Sequence, residues 1–481
     1  MSLLRLLPTP GLKLLRKLML QYGRRMDTER LLLSARRRAV EVAVRAARVC
    51  EAYRTLLRER GINLAALNAT TNLATLPVLT KANTFGRFTL EQLARPLSPG
   101  LWADVLSSSG RSGRNFGYRI TSRKQHDLSW FHIDLGLQDI FNVDEHSTLL
   151  VNCLPMGVVF SSRAVTVANV SVREDMACSI LRDIGPRFKQ TLLCTDPLFI
   201  RRLLDEARAA GVDWKALNTS VIMGEEVLVE AQRDFIAARM GIDIDHDPQR
   251  MIGSSFGVGE LGLNLMFETR ETIRICRALR AQPAVGQLFS GQRGAAALLS
   301  IFCFNPLRCH IEVLNPDRDG FGELCFTMLD PHAVIALPRY STGDLGKLLC
   351  RHTVADAARL AGCAAPWLPV IALKGRIKDH PAGMPSVEGV KELIYSVHAV
   401  AEQITGAFRI ARDHTGGVKL QLQTATERAA RNPWLREQLL MLLELHQFQG
   451  LDLQLLEPLA FPDRPLLDHE RKFSYMPSNP E

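Results

Sequence analysis

The sequence predicts an α/β protein. A large N-terminal domain with doubly wound, mostly parallel sheets and a β-rich subdomain precedes a small C-terminal α+β lid of ferredoxin-like type. Three observations predict this. Between residues 148 and 241 short apolar strands alternate with amphipathic helices, the pattern of parallel strands covered on both faces. From about residue 298 the pattern turns β-rich. After Gly375 the order changes to β-α-β-β-α-β, the split βαβ arrangement. These changes divide the chain into a basic helical segment over 1–62, a core domain over 63–374 and a lid over 375–481.

The elements follow in order. In RLLLSARRRAVEVAVRAARVCEAYRTLLRERG, residues Leu31, Ala35, Ala39, Val42, Ala46, Val49 and Tyr53 fall on one helical stripe, with most arginines elsewhere. Thr148–Leu154 reads as a buried strand, Val172–Gly185 as a helix and Gln190–Cys194 as a strand. Pro197–Ala210 is an amphipathic helix with Pro in its first turn and Gly211 at its stop. Thr219–Met223 is a strand, and Val227–Met240 a helix closed by Gly241. Downstream, LLSIFCF, IEVLN, GELCFTML and VIALPRY read as strands separated by turn residues such as Asn315-Pro316-Asp317. In the lid, Lys391–Ser396 reads as strand, Val397–Thr405 as helix, and Ala407–Arg412 and Val418–Gln423 as strands. Glu427–His446 reads as one long helix and Leu451–Leu456 as the last strand.

Composition bounds the function. With 47% hydrophobic and 23% charged residues in 481, the chain is an ordinary globular protein and not a disordered one. No apolar run approaches the ~18 residues of a membrane-spanning helix. The N-terminus interrupts its apolar runs with Arg5, Lys13, Arg16 and Lys17 and lacks a small-residue cleavage site, so no signal peptide is expected. Ten Cys without a C-x-x-C pair suit reduced thiols and a cytoplasmic location. Residues 1–62 hold fifteen Lys/Arg and five Asp/Glu, a balance of +10 against +9 for the whole chain. Such a segment is either a solvated helix face or a docking surface for an acidic partner: an acyl carrier protein, an anionic membrane surface or, last, nucleic acid. Nucleic acid ranks last because no aromatics are interleaved to stack on bases.

Four segments carry chemistry. Leu106–Arg114 (LSSSGRSGR) offers hydroxyls, mobile glycines and two guanidiniums to phosphate oxygens, without the Lys of a Walker loop. Gly253–Glu260 (GSSFGVGE) admits two readings. Gly253-x-Ser255-x-Gly257 fits a nucleophile elbow, with Asp330 and then His332 or His352 completing a hydrolase triad. Alternatively Phe256 stacks on a base while Glu260 holds a magnesium ion. Arg339–Gly346 (RYSTGDLG) places Asp344 beside a tight turn, where one carboxylate can accept two ribose hydroxyls. Gly375-Arg376-Ile377-Lys378-Asp379 marks the handover to the lid. Cys303-x5-Cys309-His310 lacks the spacing of a zinc finger or ribbon, so strand core is the preferred reading over metal.

The order of these motifs, with Gly224-Glu225 between the first two, resembles the adenylate-forming (acyl-AMP) ligase superfamily, and most closely its phenylacetate–CoA ligase-like branch. CEAYRTLLRERGIN, LATLPVLTKANTFGRF and LLVNCLPMG extend the resemblance over nearly the whole chain. The resemblance implies roles. Ser108, Ser109, Gly110, Ser112 and Gly113 would cradle ATP phosphates, and Gly224 and Glu225 would lie near the adenine. Phe256 and Gly257 would flank the acyl-adenylate, and Glu260 would coordinate Mg²⁺. Asp344 would bind the ribose and Arg376 ribose or phosphate. Pro155, Met156 and Gly157 would line the acid pocket, and Lys472 would be the catalytic lysine of the lid. It implies ATP and Mg²⁺ as cofactors, a carboxylic acid as substrate, the branch favouring aromatic acids and some acyl chains, and CoA or carrier-protein phosphopantetheine as acceptor; a homodimer is compatible with this reading. The chain departs from the family pattern at Arg111, at Phe256 in place of Tyr and at Gly259 in place of Ser or Thr.

Overall fold

A computed structural model of the chain describes residues 3–108, 116–155, 157–289, 298–381, 383–412, 416–448, 450–462 and 473–476. The N-terminal segment forms three helices, α1 (Thr9–Arg25), α2 (Thr28–Val49) and α3 (Glu51–Glu59). Asp27 starts α2 by accepting the amides of Glu29 and Arg30. The expected stripe of α2 and α3 is buried at Leu31, Ala35, Ala39, Val42, Ala46 and Tyr53. Val49 is the correction, 38% exposed at the last residue of α2.

Two strands, β1 (Trp102–Ser107) and β2 (Tyr118–Ser122), form an antiparallel pair. Among the described residues the other strands before the C-terminal unit form one eleven-stranded sheet. Its strands are β3 (Thr148–Asn152), β4 (Thr166–Asn169), β5 (Gln190–Thr195), β6 (Thr219–Met223), β7 (Ile252–Val258), β8 (Gly262–Phe267), β9 (Ser300–Phe304), β10 (Cys309–Leu314), β11 (Gly322–Met328), β12 (Tyr340–Leu348) and β13 (Val370–Arg376). In space the order is β10-β11-β12-β13-β9-β8-β7-β6-β5-β3-β4. From β4 to β7 neighbours run parallel, and from β7 to β10 they run antiparallel. The β-rich stretch is therefore the antiparallel half of the same sheet. The parallel strands are apolar on both faces and are covered on both, one face by the helices Glu174–Asp183, Phe199–Ala209 and Glu230–Met240. The antiparallel half packs α2 and α3 against Phe302, Phe304, Leu324 and Phe326.

VIALPRY is not a strand. Pro338 has no N–H to give a ladder, and residues 334–339 carry one isolated bridge, at Ile335, before a turn at 338–339 in which Arg339 takes a φ of +52°. The strand starts at Tyr340, so Arg339 lies in the turn before β12 and YSTGDLG within it, not in a turn after a strand.

The C-terminal unit is α+β, with a three-stranded sheet of β14 (Ile404–Arg412), β15 (Val418–Thr424) and β16 (Leu451–Leu456) in that order. Its first element is a correction: residues 391–396 belong to the helix Val387–Tyr395, not to a strand. Ser386 caps this helix through the Gly389 amide, and Val387, Val390 and Ile394 repeat at helical spacing, all buried. The helix expected over 397–405 shrinks to His398–Ala401, and the one expected over 427–446 divides into Glu427–Ala430 and Pro433–Leu445. Pro433 cannot continue a helix but starts one well, and Asn432 caps it by accepting the Trp434 amide. One hydrophobic core unites this unit with the parallel half of the sheet, running from Leu149, Val151 and Val221 to Val390, Phe408 and Tyr475. Arg201 adds polar ties by donating to the carbonyls of Ala401 and Glu402 at 2.7 and 2.9 Å.

Candidate active site

β12 and β13 are antiparallel, and their register sets Asp344 directly opposite Arg376. Arg376 Nε donates to Asp344 Oδ1 at 3.2 Å. Asp344 is buried, and its Oδ2 has no hydrogen-bond partner among the described residues. A buried carboxylate oxygen left open is costly unless a donor arrives. Gly375, next to Arg376, has φ +114°, and a Cβ there would lie 2.5 Å from Glu388 Oε1 and 2.7 Å from His380 Nε2. Glycine thus allows the chain to turn toward the lid beside a His380–Glu388 contact of 3.2 Å, which pushes the imidazole above its usual range.

Glu260 lies in the turn between β7 and β8. Its Oε1 accepts the Ser108 hydroxyl at 2.7 Å and stands 3.3 Å from Lys81 Nζ. Lys81 Nζ donates to Ser108 Oγ at 2.9 Å, as does the Gly117 amide at 3.1 Å. Only glycine fits at 117, because a Cβ would come within 2.3 Å of Glu260 Cγ. Lys81 came with LATLPVLTKANTFGRF, but nothing in its local pattern marked it as a site residue. Among the described residues no three possible ligands cluster to hold a metal by themselves. One carboxylate and one hydroxyl fit a magnesium ion that completes its shell with nucleotide phosphates and water, the usual habit of Mg²⁺.

Gly224 and Glu225 follow β6. The Gly224 amide donates to Thr195 O at 2.8 Å, and Glu225 takes a left-handed φ of +68°, uncommon for a non-glycine residue and worth attention at a site. Phe256 in β7 stacks on Phe326 with centroids 6.0 Å apart and planes at 17°. The C-terminal unit closes this end. Lys391 Nζ lies 2.7 Å from Glu226 Oε2, to which the Tyr475 hydroxyl donates at 2.6 Å. A small crevice joins Glu225, Phe256, Asp344, Arg376, Lys391 and Tyr475. Lys391 was missed because its segment read as a strand. Tyr475 was missed because a lone tyrosine near a chain end carries no signal.

A cavity of about 1280 Å³ adjoins the crevice, with Ser108, Gly224, Glu225, Gly257, Glu260 and Arg376 on its wall. It extends between Leu128, Leu137, Phe160 and Met251, past Gly157, to Met19, Leu20 and Met26 of the N-terminal segment. Pro155 is buried in the preceding turn and does not line it. Burial pulls His132 down to about 4 and lowers the pKa of Arg119 and Arg308, all on the cavity wall. Ser109, Gly110, Ser112, Gly113, Met156 and Lys472 lie outside the described residues.

Among the described residues the hydrolase arrangement is not present around Ser255. A nucleophile elbow joins a strand to a helix, whereas Ser255 sits inside β7, which turns back as β8. Its hydroxyl donates to Asn264 Oδ1 at 3.0 Å, a group that cannot serve as a base. His352 lies on the surface in the helix Arg351–Leu360. Cys303 and Cys309 are buried in β9 and β10, where burial pushes both thiols up, the second to about 12.

The fold is that of the adenylate-forming ligases. A 2-hydroxyisobutyryl-CoA ligase in the postadenylation state, in complex with R3-HIB-AMP, superposes with a TM-score of 0.67 at 11% identity, over 94% of this chain and 90% of that one. The postadenylation complex with 2-HIB-AMP gives 0.66 at 13% identity over the same shares. An open conformation of that ligase with 2-HIB-AMP and CoA gives 0.53 at 13%, over 94% and 91%. No family model and no curated protein matches the sequence.

Proposed function

We propose that this protein is an AMP-forming acid–thiol ligase of the phenylacetate–CoA ligase-like kind. The observation that carries this reading is the Asp344–Arg376 pair. Two motifs 32 residues apart meet across β12 and β13, with an unsatisfied carboxylate oxygen on a crevice shared with Glu225 and Phe256. In this reading Asp344 binds the ribose hydroxyls of ATP, Arg376 contacts ribose or phosphate, and Phe256 flanks the base. Gly224, Glu225 and Gly257 shape the adenine end, and Ser108 with Ser109, Gly110, Ser112 and Gly113 holds phosphates. Magnesium, carried by the phosphates, supplies charge neutralisation, and Glu260 and Ser108 are the chain's oxygens toward it.

The reaction has two halves. An oxygen of the substrate carboxylate attacks the α-phosphorus, a P–O bond forms, and the α–β bond breaks to release pyrophosphate. A thiol sulfur then attacks the acyl carbon, loses its proton, and AMP leaves with the C–O electron pair. Carboxylates are poor acyl donors, and adenylation supplies a good leaving group. Holding both reactants in a water-poor crevice and neutralising charge account for most of the acceleration. Lys472 is the lid lysine of the first half; the support is its sequence position three residues before Tyr475, whose hydroxyl donates to Glu226 on the crevice.

The apolar stretch of the large cavity favours an acid with an apolar body, an aromatic ring or a longer hydrocarbon. The acceptor is CoA or a carrier-protein phosphopantetheine. Residues 63–374 form the catalytic core and 375–481 the lid, in a cytoplasmic enzyme. The test is a screen of aromatic and alkyl acids for acid-dependent exchange of label between pyrophosphate and ATP, with CoA and holo-carrier protein then compared as acceptors. Exchange with at least one acid is expected. A folded sample that exchanges with none overturns the reading.

A further inference from the structure

Helix α1 has two faces of opposite fate. Its inner face is fixed: Leu12 and Arg16 are buried, and Arg16 holds Asp134 and Asp144. Gly23 presses on Trp367, 3.0 Å from where a Cβ would stand, while Met19 and Leu20 line the large cavity. Its outer face carries Leu14, Leu18 and Tyr22, which are 58%, 52% and 69% exposed. At 100° per residue these three share about 140° of arc with Lys17, Gln21 and Arg25, and at 1.5 Å per residue they span about 12 Å. No acidic residue occurs before Asp27. Lys17 and Arg25 have no partner among the described residues, whereas Arg24 is paired with Asp139 at 2.8 Å.

We propose that α1 docks this protein on an anionic lipid bilayer surface, with Leu14, Leu18 and Tyr22 entering the headgroup boundary and Lys17 and Arg25 facing lipid phosphates. An exposed apolar stripe bounded by cations and free of acids is what such a surface rewards. The inner face is already packed, so the stripe has no core of its own left to find. A second copy is disfavoured because a two-fold contact through this face would set Lys17 and Arg25 against the same cations. An acidic protein would answer the cations but would need its own apolar patch for three large side chains. A bilayer offers both, on the outer side of a helix whose Met19 and Leu20 wall the cavity. The docking itself holds whatever chemistry the crevice performs.

The experiment is co-sedimentation of the full chain with vesicles of phosphatidylcholine alone and with about 30% phosphatidylglycerol added. The wild type should sediment with the mixed vesicles, not with the neutral ones, and binding should weaken as salt is raised. Leu14→Glu/Leu18→Glu/Tyr22→Glu should lower the vesicle association constant at least about tenfold while melting as the wild type does, since all three side chains are exposed. Lys17→Glu alone should give a smaller loss. Absence of binding to mixed vesicles overturns the proposal. So does a triple variant that binds like wild type, or one whose only change is dissociation of a dimer by light scattering or loss of a complex with an acidic carrier protein.

Discussion

Two charge networks in the core domain differ in one respect. Arg233 is fully buried and every contact it offers is answered: Glu230 at 2.9 Å, Glu268 at 2.8 Å and the carbonyl of Ile252. Glu268 also accepts the Ser254 amide at 2.7 Å. This closed cluster ties the helix Glu230–Met240 to β7 and to the end of β8. Arg376 and Asp344 form the second network. Among the described residues Arg376 donates to Asp344 through Nε, and the second oxygen of Asp344 is open. A network with nothing left over holds structure, while one with spare donors and acceptors is ready to hold a ligand.

Substitutions sharpen or break that contrast. The largest expected effect is on stability: Arg233→Met strands two buried carboxylates and should destabilise the fold by about 3–5 kcal/mol in chemical denaturation. A variant that unfolds like wild type would erase the distinction. Next, Asp344→Ala and Glu260→Ala should each lower acid-dependent exchange by ~10²-fold or more, with the melting temperature nearly unchanged. Equal damage to melting and turnover would place both in the structural class. Lys391→Met removes the cation that joins the lid to Glu226 and should lower exchange about tenfold, the worth of one charged hydrogen bond. Tyr475→Phe should act in the same direction and less.

A smaller effect concerns Asp196, whose carboxyl burial pushes up to about 7, with Oδ2 unpartnered. The folded chain keeps a proton there that the unfolded chain releases near pH 4. This contribution to stability is therefore full below about pH 4, declines as pH rises to about 7 and is flat above. Asp196→Asn should remove that part of the slope in denaturation curves taken across this range. Smallest of all, Ser255→Ala should leave exchange unchanged, and the wild type should not react with a fluorophosphonate probe. Labelling at Ser255 would restore the hydrolase reading.

Much of the parallel half was legible. Gln190–Thr195 and Thr219–Met223 are apolar runs that only a doubly covered strand can use, and the helices that follow them carry their stops at Gly211 and Gly241. The antiparallel half was legible in content but not in boundary, since YSTGDLG is rich in turn residues yet is held as β12 by neighbours on both sides. KELIYS was misread because its helix is buried on every side, with Glu388, Lys391 and Glu392 buried beside the apolar residues, so no solvent-facing side distinguishes it from a strand.

The sequence by itself determined the α/β class, the succession of elements from 148 to 241 and the residue types able to bind a nucleotide, because burial periodicity, caps and chemical side-chain character are local. The tertiary structure alone decided that Asp344 faces Arg376, that Lys81 and Ser108 meet Glu260, and that Lys391 and Tyr475 reach Glu226 from the lid. Those meetings depend on strand register and on packing between segments far apart in the chain, and no local pattern encodes them.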